Sequence, residues 1–163
     1  MPGDEMTLDI CERLTAALDR VTDRLLNDLR AIPEADRGAC HGGATRTPYA
    51  IVIECGVINT RMAAVLERVT LPPPPSPGDY EAMRDHLTTL EDVADFVTHE
   101  TLVLKLAAQA VAPDGWAATV RLSPTRSPMT RFDAVLLAIN HMAYHDGQLN
   151  YLHLMRGDDA SHW

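Results

Sequence analysis

Two histidines four residues apart, His141 and His145, lie in the stretch HMAYHDGQLNYL, which runs from His141 to Leu152. The pattern reads as helix, and Ala134, Ala138, His141, His145, Leu149, Leu152 and Met155 share one face of it. The imidazoles therefore sit in the middle of a core-facing stripe, one turn apart. Two imidazoles at that spacing can hold one metal ion, as on the helix of HExxH proteins. They make only part of a site, because a structural zinc takes four protein ligands and a catalytic one usually three plus water. Gly147 follows at once, although glycine inside a helix costs about 1 kcal/mol relative to alanine. Lacking a side chain, it lets another helix or a ligand come close.

A third ligand has to come from another helix. Ile51, Glu54, Ile58, Met62 and Val65 form one face of an earlier helix, and Glu54 is the carboxylate in an otherwise apolar stripe. An isolated buried charge is very costly, so such groups are paired or bind metal. Glu54, His141 and His145 together suit zinc, iron(II), nickel or manganese. A plainer reading stands beside this one. HxxxH arises easily in a chain with seven histidines, and Glu54 can lean out to solvent or bond a neutral imidazole. Gln148 either holds a histidine nitrogen or a water behind the ligands, or is exposed. Tyr144 is a packing residue or a proton donor near the ion. Asn59 lies roughly 140° around the helix from Glu54, and Cys55 about 100° away, so neither reads as a ligand. His86, His99 with Glu100, and His153 read as solvated or packing residues, and Cys40-His41 as loop.

These residues need a scaffold. The chain of 163 residues forms one domain, 1–163, long enough for a real core. Its net charge of -9 argues against nucleic acid, which needs clustered Lys and Arg. Arg121, Arg126 and Arg131 make only a short basic run, enough at most for a small anionic ligand. The start, MPGDEMTLDI, lacks the features of a signal peptide, and no apolar run approaches the roughly 20 residues of a membrane span. Three cysteines, Cys11, Cys40 and Cys55, without CxxC spacing fit free, mostly buried thiols in a reducing cytoplasm.

Four long amphipathic helices are expected. The first runs from about Met6 to Ile32 and ends at Pro33. A glycine-rich loop, EADRGACHGGATR, follows. The second starts at Thr47-Pro48 and runs to about Val69. LPPPPSPGD then forms a stiff connector, long enough to cross over rather than make a tight hairpin. The third helix starts with Asp79 as cap and continues to about Ala112-Pro113. A turn-rich stretch holds a few extended residues at AATVRL. The fourth runs from Thr130 to about Arg156, with Thr130 and Asp133 at capping-box spacing, and leaves the tail GDDASHW loose. The fold class is all-α, a four-helix bundle with a long Pro-rich crossover between its second and third helices.

HMAYHDGQLNYL resembles the HxxxHxGQ(L/I) motif on the last helix of the DinB/YfiT-like superfamily. RTPYAIVIECGVINTRMAAVL is similar to that family's second helix, with Asn59 matching its asparagine. The resemblance covers nearly the whole chain. It implies a four-helix bundle, often dimeric, that holds a divalent metal and acts with low-molecular-weight thiols on small molecules. Thiol S-transferases, a mycothiol-dependent isomerase and hydrolases belong to the family. It also implies His141 and His145 as ligands, with Glu54 in place of the family's first histidine. That departure opens a second reading, a bundle that has lost its metal and binds a ligand or a partner helix. An oxygenase, suggested by the two-histidine, one-carboxylate set alone, is a third.

Overall fold

The computed structural model describes residues 9–67, 71, 73–123 and 125–162. It is mostly helical: α1 (Ile10–Ala31), α2 (Glu34–Arg37), α3 (Pro48–Glu67), α4 (Pro77–His86), α5 (Leu90–Gln109) and α6 (Arg131–Met155). A two-residue hairpin, β1 (Thr119–Val120) and β2 (Met129–Thr130), precedes α6.

Of the helical period read along α1, Leu14, Leu18, Val21, Leu25 and Leu29 face inward, while Ile10 at its start is exposed. Ile32 leaves the helix in extended backbone, as a residue before proline must. The expected start at Met6 lies outside the described residues. Thr47 caps α3, its hydroxyl accepting from the Ala50 amide at 3.1 Å, and Pro48 occupies the first turn. Residue 69, where this helix was expected to end, also lies outside the described residues.

By length and composition α3 is apolar enough to cross a membrane, although no such run was expected. Glu54, Asn59 and Arg61 break up its sequence and hide the overall hydropathy. Of its most apolar 18-residue window, 61% is buried within the fold, which is what a helix apolar on most sides does in a protein core. It packs on α5 and α6, and these two also pack on α1.

The single third helix expected from Asp79 to Ala112 is two helices. The cap of α4 is Ser76, and Asp79 is the third helical residue, closing a capping box with it. Pro77, Gly78 and Asp79, expected in the connector, form the first turn. The chain leaves helical geometry at Leu87 and restarts at Thr89, whose hydroxyl and the Asp92 carboxylate make a second capping box. The T-x-x-D signal was present, but the apolar spacing from Met83 through Leu90 to Val97 bridges the break and masked it. Leu87 and Leu90 both pack on the core. The connector leads from α3 into α4, and α5, which follows, packs on α3.

Thr130 has two jobs. It pairs with Thr119 in the hairpin and caps α6 through Asp133. At the other end Gly157 turns with φ +80°, and the Asp158 amide reaches back to the His153 carbonyl at 3.0 Å. This is the helix-ending motif that favours glycine. The tail expected to be loose instead folds against the last turn, with His162 bonded to Asp158 at 3.0 Å. Met155, assigned to the core stripe, is exposed at the helix end, while Met142 is fully buried.

Two mid-helix glycines should respond oppositely to substitution. A Cβ at Gly56 would collide with the Phe96 ring of α5, whereas one at Gly147 meets nothing within 4 Å. Gly56→Ala should lose about 1 kcal/mol or more, overpacking outweighing helix propensity. Gly147→Ala should gain up to about 1 kcal/mol. Urea titration of both variants against the parent reads the two signs directly.

Candidate metal centre

Where α3 and α6 meet, the three residues singled out as ligands come together. The Nε2 atoms of His141 and His145 are 3.2 Å apart. Glu54 brings Oε2 to 3.4 Å from His145 Nε2 and Oε1 to 4.0 Å from His141 Nε2. His145 is almost wholly buried, whereas His141 and Glu54 keep 22% and 26% of their side-chain surface exposed. Each thus has a buried side and an open one. Two nitrogens on a tetrahedral ion, with bonds of about 2.0 Å, stand about 3.3 Å apart. The imidazole pair matches that spacing as it stands.

Cys55 was read as pointing away, into the core. It is fully buried, but its Sγ and the two imidazoles bring ligand atoms within 4.8 Å of one another. Adjacent helical residues diverge by about 100°, yet a helix packed over them can be flanked by both. Glu54 and Cys55 flank α6 in this way. Burial pushes the Cys55 thiol up, far from its thiolate form, and it donates weakly to the Ile51 carbonyl at 3.5 Å.

The hydrogen bonds fix one tautomer. His145 Nδ1 lies 2.7 Å from Gln148 Oε1, an acceptor, so Nδ1 carries the proton and Nε2 keeps a lone pair. Gln148 in turn donates to the Tyr144 hydroxyl at 3.2 Å. Gln148 is thus the residue that holds a histidine nitrogen, and Tyr144, largely exposed, stands behind it. His141 Nδ1 is buried without a hydrogen-bond partner among the described residues. Burial, the His145 ring and the Arg46 guanidinium push His141 down to about 4. Burial, and less strongly Arg46, also lowers His145, against the opposing bond from Gln148. Both rings are therefore uncharged at neutral pH, the form that ligates metals.

Arg46 was missed by the sequence reading. It is the last residue of the glycine-rich loop, just before the Thr47 cap, and nothing in local spacing points it inward. Its Nη1 donates to Glu54 Oε2, and its Nη2 comes within 3.5 Å of His145 Nδ1. The carboxylate thus already has a cationic partner. Arg121, Arg126 and Arg131 lie instead around the hairpin, where Arg121 donates to the Arg126 carbonyl.

A cleft of about 900 Å³ opens beside the centre, bounded by Gly42 to Arg46 of the loop and by Tyr144, Gly147, Gln148 and Tyr151 of α6. Gly147 admits no neighbouring helix; it forms part of the cleft wall. The loop borders this space next to Cys40 and His41, while His41 itself bonds the Asp36 carbonyl at 3.0 Å. Asn59 is not a ligand. It is fully buried and donates to Thr101 at 3.0 Å and to the Met142 sulfur at 3.5 Å. His99 faces Glu100 at the surface. All three cysteines are free, but only Cys55 is buried.

No family model and no curated protein matches this chain. Among solved structures it is similar to a conserved protein of locus from Enterococcus faecalis, with a TM-score of 0.67 and 14% identity. The match covers 89% of this chain and 95% of that one. At that identity the likeness shows the fold alone.

Behind the histidines lies a buried acidic pair, Asp28 of α1 and Asp146 of α6. Asp146 accepts from Arg24 at 2.9 Å and Asp28 from Asn150, but Oδ1 of each is buried without a donor. Burial first, then contact with Asp28, pushes the Asp146 carboxyl up to about 7. A proton held by the pair supplies the missing donor. Raised above the unfolded value of about 4, this group favours folding at low pH and loses that contribution as pH rises toward about 7. His141, lowered to about 4, pulls the other way: its folded form gains stability as pH rises from about 4 to 6.5. Comparing parent with Asp146→Asn separates the two. The variant's stability relative to the parent should improve between pH 5 and pH 7.5, on the order of 2 kcal/mol, in urea unfolding at each pH.

Proposed function

We propose that this chain is a DinB-like four-helix bundle whose Glu54, His141 and His145 hold a divalent metal, zinc, nickel, iron or manganese. In this reading it is a metal-dependent enzyme of the thiol S-transferase or hydrolase type, acting on a small molecule in the adjoining cleft. The observation that carries it is the convergence of two neutral imidazole Nε2 atoms and one carboxylate beside an open cleft. A low-molecular-weight thiol as co-substrate, a homodimer and a cytoplasmic location belong to the same reading. The exposed Tyr151, Leu154 and Met155 of α6 offer a face for a second copy. The acidic surface speaks against nucleic acid, and the burial of α3 against a membrane span.

When bound, such an ion acts as a Lewis acid and lowers the pKa of a water or thiol it holds. The chain's own residues do the rest. Gln148 keeps His145 in the ligating tautomer. Arg46, paired with Glu54, would give up that partner to a bound ion, and its guanidinium borders the cleft, suited to an anionic group of the substrate. The Tyr144 hydroxyl stands at the cleft wall as a proton-donating group. A second reading is favoured by the Arg46–Glu54 pair: a bundle without metal that uses the cleft to bind a ligand or partner.

Elemental analysis of untagged protein distinguishes the two. The enzyme reading expects near-stoichiometric metal, lost in His145→Ala and in Glu54→Ala. Arg46→Ala, removing the competing cation, should bind metal more tightly. Gln148→Ala should weaken affinity about 10–100-fold, as losing the partner of a ligating histidine does. No metal in the parent after reloading with zinc, nickel, manganese or iron(II) would leave the second reading.

A further inference from the structure

His153, Asp158 and His162 share no residue with the centre at Glu54, yet they too bring metal-type donors together: one ligand atom from each, all within 4.8 Å of one another. His153 is 3% exposed, and its Nε2 lies 3.0 Å from the Asp28 carbonyl. A carbonyl only accepts, so Nε2 carries the proton and Nδ1 is left as a lone pair. Histidines that bind metal are usually anchored this way, one ring nitrogen tied to a backbone carbonyl and the other free to ligate.

That Nδ1 faces Asp158 Oδ2 at 3.6 Å. Two acceptors facing each other need a cation between them. A second proton on His153 would serve, but a third donor points into the same space. His162 Nε2 lies 3.0 Å from that same oxygen, and its ring packs on His153 with centroids 4.6 Å apart. The separations of 3.0 and 3.6 Å bracket the spacing of about 3.3 Å expected around a tetrahedral zinc. The turn at Gly157 makes this possible, because its backbone bonds return Asp158 to the last turn of α6.

We infer that His153, Asp158 and His162 form a site for one divalent cation of the zinc type, with water completing the coordination. Two imidazoles and one carboxylate are the donor set such an ion takes. The ion joins the tail to α6, and through His153 to the α1 backbone.

The test removes the other centre first. His141→Ala/His145→Ala protein, checked for helix content by circular dichroism, is loaded with zinc, desalted and analysed for metal. One equivalent should remain. Adding His162→Ala, or separately Asp158→Asn, should abolish it or weaken zinc binding at least tenfold. Cobalt(II) should give tetrahedral visible bands in the double variant and none in the triple variants. A folded double variant that retains no zinc overturns the inference and leaves a hydrogen-bonded clamp. Zinc binding unchanged by both tail substitutions also overturns it. Should the double variant not fold, the parent must carry one equivalent more zinc than His162→Ala alone. The result does not depend on whether Glu54, His141 and His145 bind metal.

Discussion

A fully buried amide, Asn59, ties the molecule together. Its nitrogen donates to Thr101 of α5 and to the Met142 sulfur of α6, and Thr101 contacts Thr22 of α1 at 3.3 Å. One polar node thus links all four long helices at a level where the surrounding residues are apolar. Its Oδ1 is buried without a partner among the described residues, so the two bonds from its nitrogen carry the node, and breaking them would cost more than a typical hydrogen bond contributes. Any slide of one helix along another would break the node. It therefore selects a register that apolar packing, tolerant of exchange among Leu, Ile and Val, would leave loose.

Register is what the candidate centre depends on. His141 and His145 flank Met142 on α6, and Glu54 and Cys55 lie just over one turn before Asn59 on α3. With Asn59 and Met142 in contact, the imidazoles must face residues 54 and 55. A shift by one residue would rotate Glu54 about 100° out of reach. Packing also sets the charge state. The same close fit that excludes water keeps both rings neutral and pushes a proton onto the acidic pair behind them. Neutral donors in front and a shared proton behind are two outcomes of one desolvated seam.

Much of this could be read from the chain. The period of three and four placed the long helices, and the odd carboxylate among apolar residues pointed to Glu54. Capping signals gave the starts of α3 and α6. What escaped depended on tertiary context. Apolar spacing continued across Leu87 to Thr89, so one helix was expected where two caps make two. Angle around a single helix excluded Cys55, but a helix packed above two adjacent residues meets both. Arg46 lay in a loop, where no period tells direction. Asp28 and Asp146 carried no signal in the sequence, and only their contact across α1 and α6 makes them a proton-holding pair. The tail lacked periodicity too, and its order comes from a single left-handed glycine and the groups that glycine returns to the helix.

The break between α4 and α5 has a mechanical consequence. None of α4's residues is fully buried, and it begins at its own capping box and ends at its own elbow. Tyr80, Glu81 and Arg84 of this short helix share a pocket with Glu54 and Arg46. Such a segment can breathe away from α3 at a fraction of the energy needed to open the core, because little apolar area is lost and neither neighbouring helix must unwind. On this side the carboxylate is covered by a helix with no fully buried residue. Opening of α4 would expose Glu54 to solvent while the packing of α1, α3, α5 and α6 stayed intact.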